Sequence, residues 1–204
     1  MLLNARRIFT KSHKTELILL AIEDISKRKK LEKALLESRE ILKYTTYHDA
    51  LTGLFNRAYY DEEMSRLGRD LSRSKPLSII SIDIDGLKII NDTLGHKMGD
   101  DLLISAAKII SMPFRKIDLI ARVGGDEFCI ILPRTDNQTV QSKKKEIIKL
   151  ITKNNNENPL SKMKMSIGVA TSQDQTEEDI YQIYQRADKN MYQCKNAHSN
   201  THLE

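Results

Sequence analysis

Apolar and polar positions alternate with two different periods along this chain. Near the start, apolar runs at residues 2–8 and 17–22 flank the polar Lys11-Ser12-His13-Lys14 and predict a β-hairpin. Residues 27–46 switch to a charged helical pattern. Leu31, Leu35 and Leu42, with Ser38 and Thr45 in the intervening slots, follow a 3-4 spacing, a short imperfect seam. A helix is predicted from Asn56 to Ser72. A strand over residues 77–85 follows, with Ile80, Ile82 and Ile84 on one face and Ser81, Asp83 and Asp85 on the other. Helices are predicted over 87–94 and 99–112, then strands over 119–123 and 128–132 joined by a glycine-rich turn. A helix over 139–152, a polar loop Asn154-Asn155-Asn156-Glu157-Asn158-Pro159 and a strand over 163–171 come next. Thr176-Glu177-Glu178-Asp179 reads as a capping-box start for the last helix. The order βααββαβα, with a central antiparallel hairpin, predicts an α+β sheet with helices packed over it.

Composition narrows the class. At 204 residues, 40% of them hydrophobic, the chain can bury a core as one domain with extensions or as two small ones. Its longest apolar run, 17–22, falls far short of the ~20 residues that span a bilayer. With no signal-peptide pattern either, the expectation is a soluble, cytoplasmic protein without direct membrane contact. Cys129 and Cys194 make no disulfide framework, and Cys129, mid-strand, reads as a small buried hydrophobe. The net charge of +5 resides in residues 1–46, where eleven Lys/Arg face six Asp/Glu. That arm reads as a solvated linker, and no nucleic-acid partner is expected. The five histidines offer no metal site: His198 and His202 stand in a polar tail without an acidic partner. His48 and His96 read as capping or turn residues.

The candidate chemistry lies in two acidic elements. Gly124-Gly125-Asp126-Glu127 sits at the hairpin tip, where glycines let a bulky anion approach the backbone and carboxylates supply the hard oxygens Mg²⁺ prefers. Asp83 and Asp85 share one face at the end of a strand, a costly placement in a core unless a cation is near. If the strand lies beside the hairpin, Asp83 and Asp126 converge on one metal, as in phosphoryl-transfer sites. Taken alone, Asp83 and Asp85 read equally well as a strand-terminal turn.

Five ordered blocks carry a family resemblance. They are His48-Asp49-Ala50-Leu51-Thr52-Gly53-Leu54-Phe55-Asn56-Arg57, then the stretch from Asp83 through Asn91-Asp92 to Gly99-Asp100. Gly124-Gly125-Asp126-Glu127-Phe128, Ser166-Ile167-Gly168-Val169-Ala170 and Ala187-Asp188-Lys189-Asn190-Met191-Tyr192 complete the set. From about His48 to Asn196 the chain resembles a GGDEF domain, the catalytic module of diguanylate cyclases, which condense two GTP into cyclic di-GMP. The resemblance implies a ferredoxin-like palm of the nucleotidyl-cyclase kind and a homodimer holding one GTP per protomer. It implies Mg²⁺ (or Mn²⁺) on Asp83, Asp126 and the Ile84 carbonyl, with Glu127 beside the metal and Gly124 and Gly125 against the phosphates. It also implies guanine reading by Asn91 and Asp100, triphosphate contacts from Lys88 and Lys195, and an inhibitory cyclic di-GMP site at Arg115 and Asp118. His198-Ser199-Asn200 stands where the family has Gly-Arg-Asn, which removes one phosphate contact.

The expected domains are a truncated PAS hairpin (1–26) left from an upstream sensor, a linker or coiled-coil helix (27–46), a catalytic domain (47–197) and a disordered tail or cloning remnant (198–204). Two rival readings stay open: a non-catalytic cyclic di-GMP receptor using Arg115 and Asp118, and a GTP-binding regulatory module.

Overall fold

The computed structural model describes residues 2–9, 16–159, 162–172 and 178–200. The chain divides into two compact units, residues 1–45 and 46–204. In the first, β1 (Leu2–Phe9) pairs antiparallel with β2 (Glu16–Glu23), from Leu2 opposite Glu23 to Phe9 opposite Glu16. The hairpin expected from the apolar runs is present, while its polar connection lies outside the described residues. α1 (Ser26–Tyr47) has no buried residue, and Leu31, Leu35 and Leu42 are each more than half exposed.

The second unit is a four-stranded sheet covered on both faces. Its elements are α2 (Arg57–Arg69), a 3₁₀ turn, β3 (Ser78–Ile84), α3 (Leu87–Leu94), α4 (His96–Ser111), β4 (Leu119–Arg122), β5 (Glu127–Leu132), α5 (Asn137–Glu157), β6 (Met165–Thr171) and α6 (Ile180–Asn200). The spatial order is β4-β5-β3-β6, with every adjacent pair antiparallel. β3 and β4 therefore run parallel with β5 between them, a split βαβ arrangement. One face carries Ile80, Ile82, Ile84, Phe128 and Ile130 against α4 and α5; the other carries Ile79, Cys129 and Ile131 against α2 and α6. Cys129 is fully buried, and that burial pushes its thiol up to about 12.

Because both faces are covered, the polar residues of β3 are buried too, and each has a partner. Ser78 Oγ donates to the Thr135 carbonyl at 2.8 Å, Ser81 Oγ to Asp188 at 3.4 Å, and Asp83 receives Lys195. The outer strand β6 is sealed by side chains along its free edge. Lys144, Asn190 and Arg186 donate to the carbonyls of Ile167, Val169 and Thr171 at 2.6, 2.9 and 2.6 Å.

Four elements depart from the sequence reading. α4 begins at His96, three residues before the expected Gly99, because Gly95 at φ +86° lets α3 and α4 meet in one tight turn. β6 begins at Met165 rather than Met163. α5 runs through the asparagine tract to Glu157, where a loop is expected; burial of Ile147 and Ile151 outweighs the poor helix propensity of Asn. α6 continues through His198 to Asn200 where a disordered tail is expected. The expected capping box at 176–179 falls partly outside the described residues. The reciprocal pair stands at Asp179 and Gln182, each backbone N–H bound by the other's side chain at 2.9 and 2.8 Å.

Candidate active site

The site forms where β3, β5 and α6 end together. Asp83 lies opposite Glu127 of β5 and opposite Ser166 of β6. Glu127 is thus the first residue of a strand rather than part of the turn. Val123 and Gly124 donate their N–H groups to the Glu127 carbonyl at 2.9 and 3.3 Å, which closes the loop, and Ile84 N–H donates to the Asp126 carbonyl at 3.0 Å. These backbone bonds place Asp126 next to Asp83.

Asp83 is only 5% exposed. Burial pushes its carboxyl above the usual range, and the negative charges of Asp126 and Asp85 add to this. Two hydrogen bonds from Lys195 Nζ, both at 2.7 Å, oppose the shift without cancelling it. Lys195 is itself raised: partial burial acts to lower it, but Asp83, Asp126 and Asp85 together outweigh that. Three carboxylates and one ammonium leave the cluster short of positive charge.

α6 can reach this far because of Gly168. A Cβ there would run into the Ala187 carbonyl and the backbone of Met191, so the glycine brings α6 directly onto β6. One turn beyond Met191, Lys195 meets Asp83; a further turn on, His198 meets Asp85. His198 Nδ1 lies 2.8 Å from Asp85 Oδ2, and Ser166 Oγ donates to Asp85 Oδ1 at 2.8 Å. The sequence reading gave His198 no acidic partner; the fold supplies one from 113 residues away.

The glycine turn is held from behind by residues that the sequence reading left without a role. Arg122 donates from Nη2 and Nε to the Gly125 carbonyl at 2.7 and 3.2 Å, and from Nη1 to both Asp49 oxygens at 3.1 and 3.3 Å. Asp49 also accepts from Thr52 N and Oγ1 at 2.8 and 2.6 Å. Burial alone would raise its carboxyl, but Thr52 and Arg122 hold it below the usual range. Asn56 caps α2 by accepting from Tyr59 N–H at 3.1 Å and donates to the Thr46 carbonyl at 2.8 Å. His48 Nδ1 lies 3.0 Å from the Gly53 carbonyl, a turn contact of the expected kind.

The remaining candidates lie on neighbouring elements. Lys88 is exposed in the first turn of α3. Asn91 packs against Gly99, where a Cβ would collide with its amide, and Asp100 is exposed on the next residue. Arg115 and Asp118 form a separate turn before β4, away from the carboxylates by the length of that strand. Asp118 Oδ2 accepts the Arg115 backbone N–H at 2.9 Å, and Asp118 N–H donates to the Arg115 carbonyl at 3.0 Å. The carboxylate therefore closes its own loop and leaves the Arg115 guanidinium exposed, beside a cleft of about 270 Å³ lined by Phe114, Leu54 and Ile120.

No group of three His, Cys, Asp or Glu side chains among the described residues is arranged to hold an ion. Buried Asp83 with Asp126 beside it fits a hard divalent cation that keeps several waters and takes substrate phosphates as ligands. The uncompensated charge around buried Asp83 supports the same fit.

The fold and its acidic strand ends define an α+β palm of the nucleotidyl-cyclase kind. Residues 46–201 match the family described as diguanylate cyclase, GGDEF domain. The chain is 35% identical over 183 residues to the diguanylate cyclase DgcM of Escherichia coli K12, covering 89% of this chain and 42% of that one. It superposes with a TM-score of 0.73, at 27% identity, on the coiled coil and GGDEF domain of Caulobacter crescentus DgcB in complex with c-di-GMP; this covers 85% of this chain and 93% of that one. With the GGDEF domain of Pseudomonas aeruginosa TpbB (YfiN) the TM-score is 0.63 at 32% identity, covering 74% and 89%. This chain belongs to the GGDEF family of diguanylate cyclase domains. It spans about two fifths of the length of DgcM.

Proposed function

We propose that this domain is a diguanylate cyclase, joining two GTP into cyclic di-GMP with release of two pyrophosphates. The observation that carries the reading is the cation-poor cluster of Asp83, Asp85 and Asp126 at the end of β3, beside a glycine turn that a phosphate can approach. Asp83, Asp126 and the Ile84 carbonyl would hold Mg²⁺ or Mn²⁺. When bound, such an ion polarises the phosphates and eases deprotonation of the attacking ribose 3′-hydroxyl. Gly124 and Gly125 leave room for the triphosphate, while Lys88 and Lys195 face it as point charges. Glu127, across the ladder from Asp83, adds a carboxylate at the rim. Asn91 and Asp100 read guanine: a carboxylate accepts from N1–H and the 2-amino group, a pattern adenine does not offer.

Each protomer presents one such site, so ring closure takes two protomers with their sites face to face. The exposed leucines of α1 are the surface we assign to holding that homodimer in register. Arg115 and Asp118 form the inhibitory site for the product. The region before α1 is read as the end of a PAS sensor domain that passes its signal through α1. The likeness to the diguanylate cyclase DgcM supports the catalytic reading, and the complex of the DgcB GGDEF domain with c-di-GMP supports recognition of the product.

The deciding experiment incubates the chain with GTP and Mg²⁺ and separates nucleotides by HPLC with mass detection. Cyclic di-GMP that accumulates and then stalls before GTP is spent is the expected result. GTP left intact over a wide range of protein concentration, with cyclic di-GMP still bound in calorimetry, would replace the enzyme by a receptor.

A further inference from the structure

The chain ahead of β6 carries two lysines into the same cleft as Lys195. Asp85 N–H donates to the Lys164 carbonyl at 3.0 Å, so the β3–β6 ladder continues one step past the strand. Asn155 clamps the backbone of the preceding residue with its amide: Nδ2 donates to the Met163 carbonyl at 2.7 Å, and Oδ1 accepts from Met163 N–H at 2.8 Å. The Met163 side chain is buried at 2% exposure. Residues on both sides of Met163 are thus fixed although they belong to no regular strand. Period-two alternation puts Lys164 on the face of Asp83, Asp85 and Ser166.

A cleft of about 610 Å³ opens there, lined by Lys162, Lys164 and Lys195 with Asp85, Gly86 and Ile89. That volume suits a nucleotide-sized ligand. Lys195 is engaged by Asp83 and His198 by Asp85. Lys162 and Lys164 make no side-chain hydrogen bond or ion pair among the described residues. Two ammonium groups on the wall of that cleft, outside ion-pair distance of its carboxylates, leave their charge open to a polyanionic ligand.

We propose that Lys164, with Lys162 next to it, binds the outer phosphates of the nucleoside triphosphate whose α-phosphate lies over Asp83 and Asp126. This rests on the nucleotidyl-transfer reading above. Lys195, read above as a triphosphate contact, is shared with Asp83, so the charge of the two outer phosphates leaves a place for further cations along the cleft. Those phosphates leave as pyrophosphate, gaining negative charge as the bond to the α-phosphate breaks. A lysine beside them therefore acts on the leaving group as well as on binding. Asn155 is a positioning residue in this scheme, because it holds the backbone that presents both lysines.

Calorimetry on the full chain with Mg²⁺ tests this, using a non-hydrolysable GTP analogue, GMP and inorganic pyrophosphate as separate ligands. Lys164→Gln should weaken the analogue and pyrophosphate roughly five- to tenfold and leave GMP unchanged, while Lys164→Arg retains binding. Asn155→Ala should reproduce the selective loss without removing a charge. Lys108→Gln, an exposed lysine on α4, is the control for net charge. Equal affinities for wild type and Lys164→Gln would overturn the proposal while leaving the cyclase reading intact. A wild-type chain that neither binds the analogue nor turns over GTP would overturn both.

Discussion

At the scale of the residue, Asp83 shows how a site is placed at the expense of stability. It is buried beside two other carboxylates, with one lysine for company. Asp83→Asn should leave the thermal midpoint unchanged or higher, while turnover falls at least about 10³-fold, since binding of the divalent ion contributes several kcal/mol. Adding Mg²⁺ with a GTP analogue should raise the midpoint of the wild type and not of the variant; a matching rise in both would remove Asp83 from the ligand set. Asp126→Asn should likewise end turnover with the fold intact, and retained activity would sink the assignment. Asp49 behaves in the opposite way. Its folded-state carboxyl lies below its ordinary value of 3.8. Its contribution is therefore complete above about pH 4 and is lost as pH falls through the depressed folded value. Asp49→Asn should cost roughly 2 kcal/mol at pH 7, because Arg122, itself 14% exposed, loses its partner. Urea unfolding should show that difference shrinking toward pH 3; a constant difference would mean that the carboxylate charge is not what stabilises.

At the scale of the element, the contact of α6 with β6 governs the site. Gly168→Ala should destabilise the domain by about 2–3 kcal/mol through overpacking, and it should move Lys195 and His198 away from β3. Circular dichroism melts and GTP turnover should fall together; full activity in the variant would show that α6 is not held at this point. The strand of residues 77–85 and the glycine turn were legible from sequence, because each is a local pattern of alternation or turn chemistry. The asparagine tract was not. Asn154, Asn155 and Asn156 favour a loop on local grounds, yet they finish α5 because Ile147 and Ile151 are buried and Asn155 finds a backbone to clamp. Local preference of a few tenths of a kcal/mol per residue yields to tertiary contacts of that kind. The seam of α1 was legible as a pattern, and the structure leaves it uncovered.

At the scale of the whole molecule, the proposed ring closure between two nucleotides takes two sites, and the exposed leucines of α1 are the surface assigned above to joining them. Specific activity should rise with protein concentration below the micromolar range. Leu35→Glu should depress it at low concentration without moving the melting temperature; proportional activity down to nanomolar protein in both forms would count against this pairing. Arg115→Ala should let product accumulate until GTP is spent, whereas an unchanged plateau would place inhibition elsewhere. By itself the sequence determined the mixed α+β class, the two acidic motifs and the family, because these are written in local spacing. Only the tertiary structure decided that Lys195 reaches Asp83 across 112 residues, that His198 reaches Asp85 across 113, and that Asp49 braces Arg122 across 73. Such pairs have no signature in spacing, since chain segments that distant meet only when a shared sheet and the close approach at Gly168 bring them together.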